Sequence, residues 1–363
     1  MNRGSSILVY ATQHMPTGGI ESHIREFCHH MAKSGVNIDL VILNSAMLPE
    51  TETFFRQGCR KVYLGKGSSS VYRLVWLLYI GLKLCFRPYT AVYTNGHGNS
   101  IYILSKLLLR WDKWVHHYHT SGDRVDQSTW GNRYHQALLS AGSVIACSKR
   151  NAVNLETTLK RTVISIPCFS RAISTSKAVN RGNLRFGYYG RLIPEKGIDT
   201  LCKLSEEKHL KDIEFHIWGE GAAYPPSFFK NYPSINYHGP FNGREELEKV
   251  VESIDGFLLL SVHPEGLPIS LLEVMSAGLP WLATDQGGIP DIVLDPYSTK
   301  VIPTSSSYIQ IKDAILSFAA AIKAGKASNK EQKELYNRKF SSSCLIKQWY
   351  KVLGLSKEIV LNT

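Results

Sequence analysis

Short apolar runs, each followed by a stretch of helical period, recur along almost all of this 363-residue chain. Residues 7–11 read as a strand. Gly18-Gly19-Ile20-Glu21 then opens a helix that runs to about Ser34 and stops at Gly35. Runs at 38–43, 62–64, 91–94, 114–118 and 143–147 continue the series. The pattern breaks at 165–183, where Pro167, Gly182 and a cluster of Ser, Thr and Asn read as a connection. It restarts at 184–189, 213–218, 235–238, 257–260, 280–284 and 300–302, and helical segments follow at 306–324 and 341–355. Repeated strand–helix alternation predicts a mostly parallel sheet with helices on both faces. Two such series in a chain longer than a usual domain predict two doubly wound α/β domains. We place them at residues 1–166 and 184–340, with a linker over 167–183 and a last helical segment over 341–363. Ligands of such sheets bind beyond the carboxyl ends of the strands.

One segment carries more chemistry than the rest. The run 257–260 empties into a loop holding Glu265 and Gly266, and Pro268 stands where a first helical residue tolerates proline. Ile269, Leu271, Leu272 and Met275 form an apolar face, and Gly278 supplies the stop. A strand, a tight loop and a helix start with free N–H groups make an anion site, suited to phosphate. Glu265 lies ahead of that position and Glu273 behind it, so the two carboxylates straddle it. Such a pair suits a sugar nucleotide, although two surface glutamates near a helix would show the same spacing.

Three ordered motifs extend this segment. Upstream stands Gly190-Arg191-Leu-Ile-Pro-Glu-Lys196-Gly197, then Glu265-x7-Glu273, then Thr284-Asp-Gln-Gly287-Gly288-Ile-Pro290-Asp291. Together they resemble the retaining glycosyltransferases of family 4, which have the GT-B fold. The resemblance implies two Rossmann-like domains facing each other across a cleft, with the C-terminal helix crossing back to the first domain. It implies transfer of a sugar from a UDP- or GDP-sugar to an acceptor. Arg191 and Lys196 would meet the diphosphate, Arg as a planar fork and Lys as a point charge. Glu265 would contact donor-sugar hydroxyls and Glu273 the ribose, while the backbone of Gly266, Leu267, Pro268 and Ile269 cradles the diphosphate. Gly18 and Gly19 match the family's glycine-rich loop after the first strand, and His119 matches a histidine that faces the donor sugar. Leu267-Pro268 and Asp291 depart from the usual pattern.

No Asp-x-Asp triplet occurs to hold a metal on a nucleotide sugar, so no metal and no cofactor are expected. The histidines of Trp114-Val-His116-His117-Tyr-His119 do not change this reading. On a strand His116 points away from His117 and His119, and no carboxylate or cysteine is expected to complete a ligand set. His117 is read as a packed histidine behind His119. Trp218-Gly219-Glu-Gly221 resembles a dinucleotide fingerprint but has Tyr224 at its third glycine position.

Charge is uneven. Residues 1–165 hold 19 Lys and Arg against 9 Asp and Glu, whereas residues 166–363 hold 23 against 21. A basic first half predicts an acidic partner there. Helical period over 70–87 places Arg73, Lys83 and Arg87 within an arc of ~80°, with Trp76 among them, which suits anionic lipid headgroups. The longest uncharged run there, 74–82, is too short to span a bilayer. Seven scattered cysteines without Cys-x-x-Cys spacing read as a reduced, cytosolic chain. The expectation is a peripheral enzyme at the inner face of the cytoplasmic membrane. Its acceptor would be a lipid-linked saccharide of lipopolysaccharide, O-antigen or capsule synthesis. A GT-B sugar-nucleotide epimerase and a non-catalytic sugar-nucleotide-binding module are the alternatives. Nucleic acid is not expected, since no aromatic-basic recognition signature accompanies the charge.

Overall fold

The computed structural model describes residues 5–67, 69–108, 112–174 and 182–355. The chain forms two compact units, which divide after Phe169 and again after Ser341.

The first unit contains β1 (Ser6–Ala11), α1 (Gly19–Lys33), β2 (Asn37–Ile42), α2 (Pro49–Gly58), β3 (Lys61–Leu64), α3 (Ser70–Leu84) and β4 (Ala91–Asn95). It continues through α4 (Asn99–Leu108), β5 (Trp114–Tyr118), α5 (Arg124–Gln127), α6 (Asn132–Ser140), β6 (Ser143–Ala146), α7 (Lys149–Leu159) and β7 (Ile164–Ser165). Its sheet has the order β3-β2-β1-β4-β5-β6-β7, and every pairing is parallel. Parallel strands covered on both faces need apolar residues on both sides, and β1 shows this. Ile7, Val9 and Ala11 join Ile24, Phe27 and Met31 of α1, while Leu8 and Tyr10 join Leu77, Ile80 and Leu84 of α3.

The second unit contains β8 (Leu184–Tyr189), α8 (Ile198–Ser205), β9 (Ile213–Trp218), α9 (Pro226–Phe229), β10 (Ile235–Tyr237), α10 (Gly243–Ser253) and β11 (Gly256–Leu259). After these come α11 (Ile269–Ser276), β12 (Trp281–Thr284), β13 (Thr299–Ile302), α12 (Tyr308–Lys323) and α13 (Asn329–Lys339). Its sheet runs β10-β9-β8-β11-β12-β13, again parallel throughout. The last helix, α14 (Ser342–Val352), belongs to the first unit. There Leu345 and Trp349 pack with Phe27 and Tyr93, and the Tyr350 hydroxyl donates to the Ser34 carbonyl at 2.7 Å.

The described part of the segment read as a linker divides between the units. Cys168 and Phe169 are buried in the first, and Arg171 and Ile173 bond into the second. Residues 175–181 lie outside the described residues. Helix α13, which sequence periodicity did not single out, is amphipathic through Gln332, Leu335 and Tyr336 alone.

Helix α3 corrects one expectation. It buries Leu77, Ile80, Gly81 and Leu84, so the flank carrying Arg73 and Trp76 turns toward the sheet. Trp76 packs, half-buried, against the core, and Arg73 Nε donates to the Gly67 carbonyl at 3.3 Å. Beyond the helix end, Arg87 bonds Asp39 at 3.4 Å. Asp39 is fully buried and also takes both prongs of Arg60 at 2.9 Å and the Tyr89 hydroxyl at 2.6 Å. Burial would raise its carboxyl, but the bonds from Arg60 and Tyr89 and the charge of Arg87 hold it below the usual carboxylate range. Of the four residues expected to face outward, Lys83 alone is exposed. What the helix does present is apolar: Val71, Val75, Leu78 and Leu82 follow the i, i+4, i+7, i+11 spacing and are all exposed, with Phe86 just beyond at 92%.

Candidate active site

In a doubly wound sheet the strand order reverses at one point, and the loops there diverge to leave a crevice. In the second unit that point lies between β8 and β11. The Arg191–Lys196 loop follows β8, and the Glu265 loop follows β11, so both motifs open at the switch point. Two backbone bonds brace this region. Val262 N–H donates to the Glu195 carbonyl at 2.8 Å, and Gly288 N–H donates to the Gly266 carbonyl at 2.7 Å.

Glu265 is buried, 7% exposed, and its Oε1 accepts from Lys196 Nζ and from the Ser261 hydroxyl at 2.7 Å. Ser261 in turn accepts the His263 N–H at 3.2 Å, so its position is fixed by the loop. Arg191 is exposed, and its carbonyl accepts from the Tyr188 hydroxyl at 2.9 Å. The loop that carries it is braced by the Gly219-x-Gly221 turn, through bonds from Gly190 N–H to Trp218 and from Leu192 N–H to Glu220. A Cβ on Gly221 would lie 1.7 Å from the Leu192 carbonyl oxygen, and one on Gly219 would lie 1.9 Å from that of Gly190. Close backbone approach therefore accounts for both glycines of this fingerprint-like turn without any dinucleotide.

Glu273, 2% exposed, faces inward from α11. Arg171 Nε donates to its Oε1 at 2.8 Å, and the Tyr189 hydroxyl donates to its Oε2 at 3.2 Å. Burial first, then the Glu273 charge, holds the Tyr189 hydroxyl protonated, far above its ordinary range. Pro268 proves to be the N-cap of α11 rather than its first turn, and no side-chain cap bond closes the helix start. The N–H groups of the first turn are thus served by no cap residue, and the helix dipole favours an anion there. Gly278, with φ of 72°, ends the helix as expected.

In the first unit Gly18 is the N-cap of α1, in extended backbone, and the Glu21 carboxylate reaches back beside it to accept the Met15 N–H at 3.1 Å. His119 follows β5 and is buried; among the described residues its Nε2 has no hydrogen-bond partner. His116 turns to the opposite face, bonded to Thr94 at 2.8 Å and to Tyr134 at 2.9 Å. The expectation that no cysteine completes a ligand set with the other two histidines does not hold. Cys147, just past β6, and Cys168, past β7, close on His117 and His119, and all four ligand atoms lie within 4.8 Å of one another. Burial and the nearby His119 push His117 down to about 4. The bond from Cys168 and the two histidines draw the Cys147 thiol well below its ordinary range against burial, while Cys168 is pushed up.

Sequence reading missed Arg171, Tyr189, Ser261, Cys147 and Cys168. None stands in a recognisable spacing: Arg171 lies in the segment read as a linker, and each cysteine becomes a neighbour only through strand pairing.

Two family models match, one in each unit: Glycosyltransferase Family 4 over residues 17–168 and Glycosyl transferases group 1 over residues 183–322. An uncharacterized glycosyltransferase of Methanocaldococcus jannaschii is 27% identical over 61% of this chain and 60% of that protein. Sucrose-phosphate synthase from Thermosynechococcus elongatus has a similar structure, with a TM-score of 0.77 at 16% identity over 96% of this chain and 99% of that one. HepE from Anabaena, solved in complex with UDP, gives 0.75 at 15% identity over the same shares. With two parallel-sheet units, each matched by a glycosyltransferase family model, the chain is a GT-B glycosyltransferase.

Proposed function

We propose that this glycosyltransferase moves a sugar, with retention at the anomeric carbon, from a nucleoside-diphosphate donor to a lipid-linked saccharide held at an anionic membrane surface. The observation that carries the donor reading is the pairing of two buried carboxylates on either side of the α11 start, each held by its own cation. Glu273 sits one turn into the helix and receives the ribose, and the first-turn N–H groups receive the diphosphate. Arg191 and Lys196 meet the charge that develops on the leaving phosphate. Glu265, released from Lys196 as that cation turns to phosphate, accepts hydroxyls of the donor sugar. On the family resemblance, His119 and the Gly18-Gly19 turn of the first unit are further candidates for contact with a sugar nucleotide.

The departing phosphate oxygen takes the acceptor proton on the face where the new bond forms, which gives retention without a covalent intermediate. No metal is needed on the diphosphate when two cations and a helix start neutralise it. Thermal melting of the purified protein with UDP, GDP, ADP and their sugar conjugates, in EDTA, tests the reading. A ligand at a hundred times its Kd adds about 2.7 kcal/mol of stability. One nucleotide family should shift the melt and serve as donor in a transfer assay. Stabilisation by none of them, or by metal complexes alone, would overturn it.

The membrane part rests on α3 and charge. Among the described residues no helix is long and apolar enough to cross a bilayer. The exposed Val71, Val75, Leu78 and Leu82 stripe, with Lys83 on its flank and a surplus of cations in residues 1–165, suits shallow insertion among anionic headgroups. The protein should sediment with phosphatidylglycerol-containing vesicles and not with pure phosphatidylcholine, with binding that weakens as salt rises. Val75→Glu/Leu78→Glu/Leu82→Glu should reduce the bound fraction several-fold. Equal binding by the triple variant, or a dimer that it dissociates, would reassign the stripe.

A further inference from the structure

The group formed by His117, His119, Cys147 and Cys168 lies wholly within the first unit, at the carboxyl edge of three adjacent strands. Cys147 Sγ is 3.5 Å from His117 Nε2, 3.7 Å from His119 Nδ1 and 3.5 Å from Cys168 Sγ. Cys168 Sγ is 3.4 Å from His119 Nδ1. With zinc–sulfur bonds of about 2.3 Å and zinc–nitrogen bonds of about 2.05 Å, a tetrahedral set places its ligand atoms about 3.4–3.8 Å apart. The side chains already stand near that spacing. Two soft sulfurs and two imidazole nitrogens in a tetrahedral arrangement select zinc among common divalent ions.

The surroundings supply the second layer such sites need. His117 turns its Nδ1 to the Tyr93 hydroxyl at 3.0 Å. That hydroxyl also lies 2.9 Å from His23 Nε2, and His23 Nδ1 accepts the Phe169 N–H at 2.9 Å. Because His23 Nδ1 is an acceptor, its Nε2 carries the proton and donates to Tyr93. A metal on His117 Nε2 requires the Nδ1–H tautomer, for which the Tyr93 hydroxyl is the acceptor at hand. Outer hydrogen bonds of this kind orient metal-bound imidazoles and fix their tautomer. Cys147 Sγ also lies 3.3 Å from the Tyr118 carbonyl, a contact that a neutral thiol could make instead.

We propose that His117, His119, Cys147 and Cys168 hold a structural zinc ion that ties β5, β6 and the segment after β7 together. All four protein ligands are used, so the ion has no open position for substrate and plays no direct part in sugar transfer. It fixes His119 instead. With Nδ1 on the metal, the other ring nitrogen of His119 carries the proton and becomes a permanent donor at Nε2, which has no partner among the described residues. Binding also displaces the thiol protons, so occupancy rises with pH.

Metal content tests this on the full chain, grown with zinc and purified without chelator. Mass-spectrometric elemental analysis should find one zinc per chain. Cys147→Ser and Cys168→Ser should each lose most of it, and Cys85→Ser should retain it. Should the serine variants fold poorly, cobalt loading of the unmodified protein decides independently. The visible bands of a tetrahedral ion and a thiolate charge-transfer band are expected, bleached on adding zinc. Background zinc together with a featureless cobalt spectrum would overturn the proposal, as would a Cys147–Cys168 disulfide in a non-reduced peptide map. Neither readout involves a sugar donor, so failure here leaves the proposed reaction untouched.

Discussion

Lys196→Ala should lower the rate of sugar transfer by about two to three orders of magnitude, the scale seen when one preorganised donor is removed from a developing oxyanion. Lys196 stands at the switch point with its charge already turned inward, on the Glu265 carboxylate. Its removal has a second consequence, because Glu265 is buried and would be left with the Ser261 hydroxyl in place of a cation. Breaking a buried pair from one side costs about 3–5 kcal/mol, less where one partner is partly solvated, as Lys196 is. Loss of activity could then reflect loss of fold. Lys196→Met/Glu265→Gln separates the two, since it removes both charges and should recover most of the melting temperature without recovering transfer. Single-turnover rates near wild type in the folded Lys196→Ala protein would remove Lys196 from the mechanism.

Gly287→Ala should be nearly as damaging, through the backbone alone. Gly287 has φ of 49°, and a Cβ there would lie 1.7 Å from the Glu265 carbonyl oxygen and 2.6 Å from its carbonyl carbon. Neither atom can rotate away, so the loop carrying Glu265 and Gly266 must move and the Gly288–Gly266 bond must stretch. The left-handed conformation alone costs a non-glycine residue roughly 1 kcal/mol. With the clash, a loss of about 2–4 kcal/mol in urea denaturation is expected. A displacement of about 1 Å at a positioning group can lower turnover ~100-fold. Wild-type stability and turnover in this variant would mean that the Gly287–Gly288 turn does not hold the Glu265 loop.

These two positions show different degrees of legibility. Lys196 and Glu265 stand out in the chain because their motifs are local: a strand end, a tight loop and a helix start lie within a few residues. Gly287 is readable as part of a Gly-Gly turn, but its reason, close approach to the carbonyl of Glu265, is not. Arg171 and Tyr189 have no signature at all, since a bond to Glu273 spans 102 residues in one case and 84 in the other.

The outward face of helix α3 differs from expectation for a related reason. Its period is as expected, but an amphipathic segment with two apolar stripes can bury either one. The sheet and α4 take Leu77, Ile80 and Leu84, which turns Arg73 and Trp76 inward and leaves Val71, Val75, Leu78 and Leu82 outside. The histidines show the same limit in reverse. Period two places His117 and His119 on one face and His116 on the other, as found. Cys147 and Cys168 lie too far along the chain for any local spacing to connect them with these histidines.

The sequence by itself determined the two α/β series, the strand-end loops and the helix start after the Glu265 loop, because propensity, capping and period act over a few residues. The tertiary structure alone decided which stripe of α3 is covered, which cation holds which carboxylate, and that Cys147 and Cys168 meet His117 and His119. Parallel pairing of β5, β6 and β7 sets side by side residues that are 21 to 49 positions apart. That adjacency follows from strand order and register, which no local run of residues encodes.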